Sequence, residues 1–462
     1  MKKHYHFVGI GGVGMGAIAK LLLAKGQHVS GSDIRWNKIT NELKVKGAKI
    51  YRGHDYFNLE GVDCVVVSTA IHQDNPELLA ARQKKIPIYH RAELLAEIMK
   101  QYTSIAVSGA HGKTTTSAMI ANALCAVGCD PQVVIGGIVD NKESLARSGK
   151  GKYFVAELDE SDGSFLQFYP MYSIITNIDL EHLDFYKDWD HVIKVYRMFV
   201  HQTQPGGLVI ANGDDKKLRQ ILQKSDVTFV TYGFNPYNQV TAKNIKFDNF
   251  QSSFDCFVQG ENKGRVVLNV PGQYNISNAL ACLTFTTSLS LDFNKVSESL
   301  ANYKGVQRRF QLIGKVEDVV IVDDYAHHPT EIRATLEAVK RFQRKRAIIL
   351  FQPHRYSRFH LLFNDFAESL SDCDYLIVTD IYAASENPIE GLSSFKFAEF
   401  IKQITKRKVV YLPKDKIIPH LLDIIQPGDL ILSLGAGDIT HIAHEFVQRL
   451  KNWYANQVRI RL

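Results

Sequence analysis

Short β-branched runs alternate with amphipathic segments of ten to fifteen residues from residue 5 onward, and this rhythm limits the chain to α/β architectures built of βαβ units and parallel sheets. The first block reads as strand Tyr5 to Val8, helix Val13 to Lys25, strand Gln27 to Ser30, strand Asp63 to Ser68, helix Pro76 to Lys85, strand Pro87 to Tyr89 and helix Ala92 to Met99. A polar pause, Lys100 to Thr103, precedes the next strand, Ser104 to Val107. That second block continues through strands Tyr153 to Leu158 and Ser173 to Thr176 and ends in a helix, Ser277 to Leu289. Between Thr228 and Val270 lies a strand-rich insert expected to be antiparallel. A third block after Arg308-Arg309-Phe310 has strands at Val319 to Val322, Ala347 to Phe351, Tyr375 to Val378 and Leu430 to Leu434, again with helices between. With 462 residues, at roughly 150 per domain, about three domains are expected. The boundaries expected are 1–100, 101–312 and 313–462.

Composition excludes several classes. At 45% hydrophobic and 22% charged residues the chain is neither disordered nor fibrous. No run approaches ~18 apolar residues, so no membrane insertion is expected. The apolar N-terminal run is broken by five glycines between Gly9 and Gly16, unlike an export signal. A formal charge of +7 is small for this length and favours acidic small molecules only weakly. The basic run Lys340 to Arg346 reads as the solvated end of a helix, and with no aromatic platform beside it no nucleic acid is expected. Cys64, Cys125, Cys129, Cys256, Cys282 and Cys373 show no CxxC spacing and read as buried thiols in a reducing cytoplasm.

Two glycine turns carry chemistry. Gly9-Ile10-Gly11-Gly12-Val13-Gly14 follows a strand and opens a helix, with Asp33 nineteen residues beyond Gly14. Such glycines let the backbone approach a diphosphate, and the acid can accept from a ribose hydroxyl. Taken alone the turn suggests a dinucleotide-dependent oxidoreductase, or merely a tight strand–helix junction. Gly109-Ala110-His111-Gly112-Lys113-Thr114-Thr115 is a shortened phosphate loop, since position 107 is Val. Its backbone N–H groups would surround phosphate oxygens, Lys113 would face the β and γ phosphates, and Thr114 would ligate Mg²⁺. The bland alternative is a solvated lysine after glycines.

A triphosphate brings a hard cation that wants oxygen ligands. Two strand ends supply them: Glu157, Asp159, Glu160 and Asp162 after one, Asn177, Asp179, Glu181, His182 and Asp184 after the next. Some of these serve as helix caps or solvated loop charges. The third block offers Asp323-Asp324-Tyr325-Ala326-His327-His328-Pro329 and Gln352-Pro353-His354-Arg355-Tyr356-Ser357-Arg358. Adjacent His327 and His328 would point apart, so polar recognition fits better than zinc. Arg355 and Arg358 can fork onto a carboxylate or phosphate, unless they only form surface ion pairs.

GIGGVGMG, GAHGKTTT, ELDESDGSF, NIDLEHLDFY, PGQYNISNAL, RRFQ, DDYAHHPTE and FQPHRYSR occur in this order, and together they resemble the Mur ligase family over essentially the whole chain. DDYAHHPTE and FQPHRYSR resemble the member that adds the first amino acid. The resemblance implies an N-terminal Rossmann-like domain for a UDP-sugar, a central P-loop-type ATPase domain and a C-terminal Rossmann-like domain that binds the amino acid. It implies ATP and Mg²⁺ as cofactors, and UDP-N-acetylmuramate and L-alanine as substrates, joined through an acyl phosphate in cytoplasmic peptidoglycan precursor synthesis. Carried over to this sequence, Gly109 to Thr115, Asn275 and Asn278 would bind ATP, and Thr114, Glu157 and His182 would hold the metal. Gly9, Gly11, Gly12, Gly14, Asp33 and Ser68 would hold the UDP-sugar, with Lys113, Glu157, His182, His328 and Arg355 as the catalytic set. Some relatives carry a carbamylated lysine, a role not carried over to Lys194. Other readings remain open: a sister ligase that attaches a recycled tripeptide to the same sugar nucleotide, the oxidoreductase, and a non-catalytic nucleotide-binding regulator. No linear pattern announces an interface, and a monomer or weak homodimer is expected.

Overall fold

The computed structural model describes residues 2–136, 146–182 and 185–461, with side chains to 456. Asp184 therefore lies outside the described residues. Three sheets organise the chain. The first holds β1 (His4–Val8), β2 (His28–Asp33), β3 (Lys49–Arg52), β4 (Cys64–Val67) and β5 (Ile88–His90) in the order β3-β2-β1-β4-β5, every neighbour parallel. Strands of this kind are buried on both faces, which is why Cys64-Val65-Val66-Val67 reads as an unbroken apolar run. The helix Val13–Ala24 buries Met15 through Leu22 without a polar stripe. Each of Ile18, Leu21 and Leu22 contributes roughly 1.5–3 kcal/mol by burial, enough to offset the glycines at 14 and 16.

The second sheet contains β6 (Thr103–Ser108), β7 (Gln132–Val134), β8 (Ala146–Arg147), β9 (Tyr153–Glu157), β10 (Tyr172–Ile175), β11 (Leu208–Asn212), β12 (Phe229–Gly233), β13 (Val240–Asp248), β14 (Gln251–Val258) and β15 (Glu261–Leu268). Its order is β15-β14-β13-β12-β11-β10-β6-β9-β7-β8. The third holds β16 (Gln311–Val316), β17 (Val319–Asp324), β18 (Arg346–Phe351), β19 (Tyr375–Val378), β20 (Lys408–Tyr411) and β21 (Asp429–Leu434) in the order β16-β17-β21-β18-β19-β20, parallel except for the edge pair β16–β17. The chain forms two compact units: 1–245 with 253–268 and 275–304, and 246–252 with 269–274 and 305–462. Among the described residues no helix is long and apolar enough to cross a membrane.

Three expectations need correction. The insert is not antiparallel throughout, because β12 runs parallel to both β11 and β13. Only β13, β14 and β15, joined by two-residue connections, turn back on one another. The basic run is a helix end only where it begins: the helix Pro329–Lys340 finishes on its first residue with Arg341 as cap, and Arg346 already opens β18, where its guanidinium meets the buried Asp429 carboxylate at 2.6 Å. Nor are all the thiols buried. Cys125 is exposed and Cys129 half-buried at the end of the helix Lys113–Ala126, where Arg147 Nη1 donates to Cys125 Sγ at 2.6 Å.

Candidate functional site

Parallel strands deliver their following loops to one edge, so the turns after β6, β9 and β10 meet beside one another. The turn after β6 is the glycine–lysine loop, and it is splinted by the turn after β10. Ala110 N–H donates to Asn177 O (3.2 Å), His111 N–H to Asn177 Oδ1 (2.9 Å), and Thr176 Oγ1 and Asn177 Nδ2 donate to His111 O (2.6 and 3.0 Å). Gly112 sits at φ +83° just before the helix Lys113–Ala126, and a Cβ there would lie 2.5 Å from Asn278 Oδ1. Gly109, at φ +134°, leaves no room either: its Cβ would lie 2.1 Å from Thr176 Oγ1. Gly109→Ala is therefore expected to distort the loop at a cost of ~1–3 kcal/mol, raising the KM for nucleotide roughly tenfold or more while the melting temperature of the chain barely moves. Steady-state kinetics paired with a thermal melt checks this.

Lys113 Nζ donates to Gly109 O (2.7 Å) and Ala110 O (3.0 Å), and lies 2.7 Å from Glu160 Oε2. Burial pushes this ammonium down, but the carboxylates of Glu160, Asp159 and Glu157 outweigh it and hold the group above the ordinary lysine range. Thr114 Oγ1 donates to Glu157 Oε1 (2.9 Å), and the other oxygen of Glu157 accepts Gly136 N–H (2.5 Å). His182 Nε2 lies 3.4 Å from Glu160 Oε1 and 3.7 Å from Glu181 Oε2. Burial lowers the proton affinity of His182, and these two acids with Asp159 more than restore it. His111 faces Asp179 (3.2 Å) and Glu181 (3.8 Å). Asn278 ties its own helix, Gln273–Ser288, to the first turn of the helix Lys113–Ala126, accepting from Thr116 Oγ1 at 3.2 Å, with Asn275 Oδ1 3.4 Å from its amide. Lys194 is exposed on the helix Trp189–His201.

The donor set suits a hard divalent cation. Thr114 and Glu157 form one oxygen pair, and the ligand atoms of Glu160, Glu181 and His182 lie within 4.8 Å of one another. Glu160 and Asn177 were legible only as members of polar strand ends. Their pairing with Lys113 and His111 joins residues 47 and 66 positions apart, beyond any local pattern.

The turn after β1 is built similarly. Gly9 and Ile10 N–H donate to Ser32 O (2.8 and 3.0 Å), Gly11 N–H to Asp33 Oδ2 (2.8 Å), and Asn37 Nδ2 to Gly11 O (2.9 Å). Gly12 N–H closes the turn on Gly9 O. Gly14 faces Arg91, whose Nη1 would lie 2.9 Å from a Cβ at position 14, and Arg91 Nη2 reaches Asp159 Oδ2 at 3.2 Å. Ser68 O accepts Ile71 N–H after β4, and the Ile71 side chain packs toward Gly9.

In the second unit, the loops after β17, β18 and β19 share an edge. Asp324 accepts N–H from Ala326 (2.7 Å) and Phe310 (2.8 Å), and burial pushes its carboxyl up to about 7. His327 Nδ1 lies 3.2 Å from Glu331 Oε2, whereas His328 Nδ1 accepts Thr330 N–H at the next helix start, so the two rings take separate partners as expected. His354 stacks on Tyr382 (5.5 Å between centroids), and burial beside His327, Arg358 and Arg355 holds it down to about 3, an uncharged imidazole. Arg355, at φ +67°, projects its guanidinium 4.0 Å from Glu386.

Comparisons with known proteins agree with this arrangement. Models of the Mur ligase family match in three places: its catalytic domain over residues 4–103, its middle domain over 107–286 and its glutamate ligase domain over 308–437. A UDP-N-acetylmuramate--L-alanine ligase of Syntrophus aciditrophicus (strain SB) is 43% identical over 450 residues, covering 97% of this chain and 94% of that protein. The crystal structure of the Thermotoga maritima UDP-N-acetylmuramate-alanine ligase superposes with a TM-score of 0.82 at 31% identity, covering 97% of this chain and 99% of that one. A murein peptide ligase from Psychrobacter arcticus, 24% identical with a TM-score of 0.70 and 97% and 99% coverage, shares the fold. Three matched models in order, together spanning most of its length, and relatives covering nearly all of it show that the chain belongs to the Mur ligase family.

Proposed function

We propose that this chain joins L-alanine to the lactyl carboxylate of UDP-N-acetylmuramate, consuming ATP and releasing ADP and phosphate. The single observation that carries the reading is the 43% identity, end to end, to ligases of that name, on a chain whose glycine–lysine loop is splinted to receive phosphates. The recycling-type ligase is 24% identical and bears on the fold alone, and an oxidoreductase has no use for Lys113.

In this reading residues 1–100 take the UDP-sugar, with Gly9, Gly11, Gly12, Gly14, Asp33 and Ser68 at the turn. Residues 101–312 take ATP on Gly109 to Thr115, with Asn275 and Asn278 beside the loop, and residues 313–462 take the amino acid. The carboxylate attacks the γ-phosphorus to give an acyl phosphate and ADP. The amine of L-alanine then attacks the acyl carbon and expels phosphate. Lys113 offsets charge as two anions approach, and the helix start beyond it supplies N–H donors. Thr114, Glu157 and His182 would hold Mg²⁺, which supplies charge neutralisation at the phosphates. His328 and Arg355 would orient substrate in the last domain, with Arg355 offering its fork to a carboxylate or phosphate. ATP and a nucleotide sugar as substrates make the cytoplasm the expected compartment.

Phosphate release measured with ATP, Mg²⁺ and UDP-N-acetylmuramate tests the proposal, with L-alanine, glycine, L-serine or the murein tripeptide added in turn. L-Alanine should give the fastest release, with the one-group neighbours slower by a factor set by ~1–3 kcal/mol of pocket contact. Faster release with the tripeptide, or none with any amino acid, would overturn it.

A further inference from the structure

Lys113 Nζ donates to the carbonyls of Gly109 and Ala110 and forms an ion pair with Glu160, whose nearer carboxylate oxygen is 2.7 Å away. Phosphate reaching Lys113 has to compete with these three neighbours. Of the three acceptors, Glu160 is the charged one; it is 2% exposed at the turn after β9, and its second oxygen is 3.4 Å from His182. The surroundings are rich in acid. Asp159 is bound by Arg91, Glu157 by Thr114 and Gly136, while Glu181 lies 3.7 Å from His182. A nucleotide arriving without a cation would bring three or four negative charges into this array. It would also take Lys113 from Glu160, leaving a buried carboxylate uncompensated.

We propose that Glu160 is the resident counter-ion of Lys113 and makes the site discriminate between metal-bound and metal-free nucleotide. The exchange of carboxylate for phosphate at Lys113 proceeds only when a divalent cation arriving with the nucleotide takes over the charge that Lys113 gives up. Geometry supports the hand-over, since a carboxylate oxygen of Glu160 already lies within 4.8 Å of ligand atoms on Glu181 and His182. Glu160 is thus a positioning residue that acts through Lys113. The inference rests on the ATP reading above and adds a residue-level cause for metal dependence.

The test is calorimetric titration of the full chain with a nonhydrolysable ATP analogue, in Mg²⁺ and in chelator, for the wild type and Glu160→Gln. The wild type should bind the metal-free analogue far more weakly. In Glu160→Gln, metal-free affinity should rise about tenfold or more and the ratio of the two dissociation constants should fall toward one. An unaltered ratio, or equal weakening in both conditions, overturns the assignment. Lys113→Met supplies an independent arm, because it leaves Glu160 without its cation. Binding of Mn²⁺ alone, followed by electron paramagnetic resonance, should tighten about tenfold or more, and unchanged affinity counts against the proposal. If the wild type binds the analogue in neither condition, the ATP reading fails and Glu160 with it; binding with an unaltered ratio removes Glu160 only.

Discussion

Lys113→Ala should lose two to four orders of magnitude in ligase turnover. Truncation removes one partner of a buried charge pair and leaves Glu160 facing the incoming phosphates alone, a change worth about 3–5 kcal/mol, at ~1.4 kcal/mol for each factor of ten. The two loop carbonyls that Lys113 bridges also lose their donor, so the turn loosens as the charge disappears. Lys113→Arg should rescue little, because a planar guanidinium does not fit a cradle formed by the carbonyls of Gly109 and Ala110. The ammonium is held above its ordinary range, so the pH profile of the wild type should show no limb from this group near neutrality. Coupled ADP release on correctly folded variant is the measurement, and near-normal turnover would refute the assignment.

Glu77→Ala should be the most damaging single substitution in the N-terminal sheet domain. The Glu77 side chain is fully buried, and its carboxylate accepts from Asn58 Nδ2 (2.7 Å) and Ser32 Oγ (2.5 Å) while facing His54 Nδ1 (3.1 Å) and His6 Nε2 (3.4 Å). Removing it takes the shared acceptor from all four, leaving Ser32 Oγ and His54 Nδ1 with each other at 2.9 Å and Asn58 Nδ2 with only Gly53 O at 3.4 Å, at about 3–5 kcal/mol. Burial alone would raise the acid, but the contacts from His6, Ser32 and Asn58 prevail and bring it to about 2, below the usual 4.5. A depressed carboxyl stabilises the folded state fully above its unfolded value. That contribution, of order 3 kcal/mol, fades as pH falls from about 4.5 toward 2. Urea unfolding between pH 6 and pH 3 should therefore show a steep loss for the wild type and a flatter curve for the variant. Parallel curves would sink the account. Ser32 O also receives Gly9 and Ile10 N–H, so the same variant should weaken the glycine turn.

The sequence reveals several buried strands and misses some polar or edge ones for physical reasons, although it also passes over the buried Leu208–Asn212 and does register the edge strand near Ile88–His90. Cys64-Val65-Val66-Val67 and Tyr375-Leu376-Ile377-Val378 are apolar on both faces and are readable at sight. Lys49–Arg52 and Gln311–Val316 lie at sheet edges with mixed exposure and carry no such signal. The helix Lys38–Val45 escaped as well: it is short, buries only Thr40 and Leu43, and depends on a capping box between Asn37 and Thr40. Among the site residues, the glycine–lysine loop was legible because its motif is contiguous. Which of the clustered acids Lys113 would choose was not, because Asp159 and Glu160 are neighbours in the chain and only the backbone path after β9 sends one to Arg91 and the other to Lys113.

The last glycine of the N-terminal fingerprint is emptied for a side chain of the protein itself. Arg91 lies across position 14, where a Cβ would push its guanidinium aside, and the other nitrogen of that guanidinium grips Asp159 in the acidic array around Lys113. One arginine thus touches the glycine turn after β1 and the acidic array around Lys113 at once. A side chain added at position 14 would therefore press on the same arginine that holds Asp159 beside Lys113.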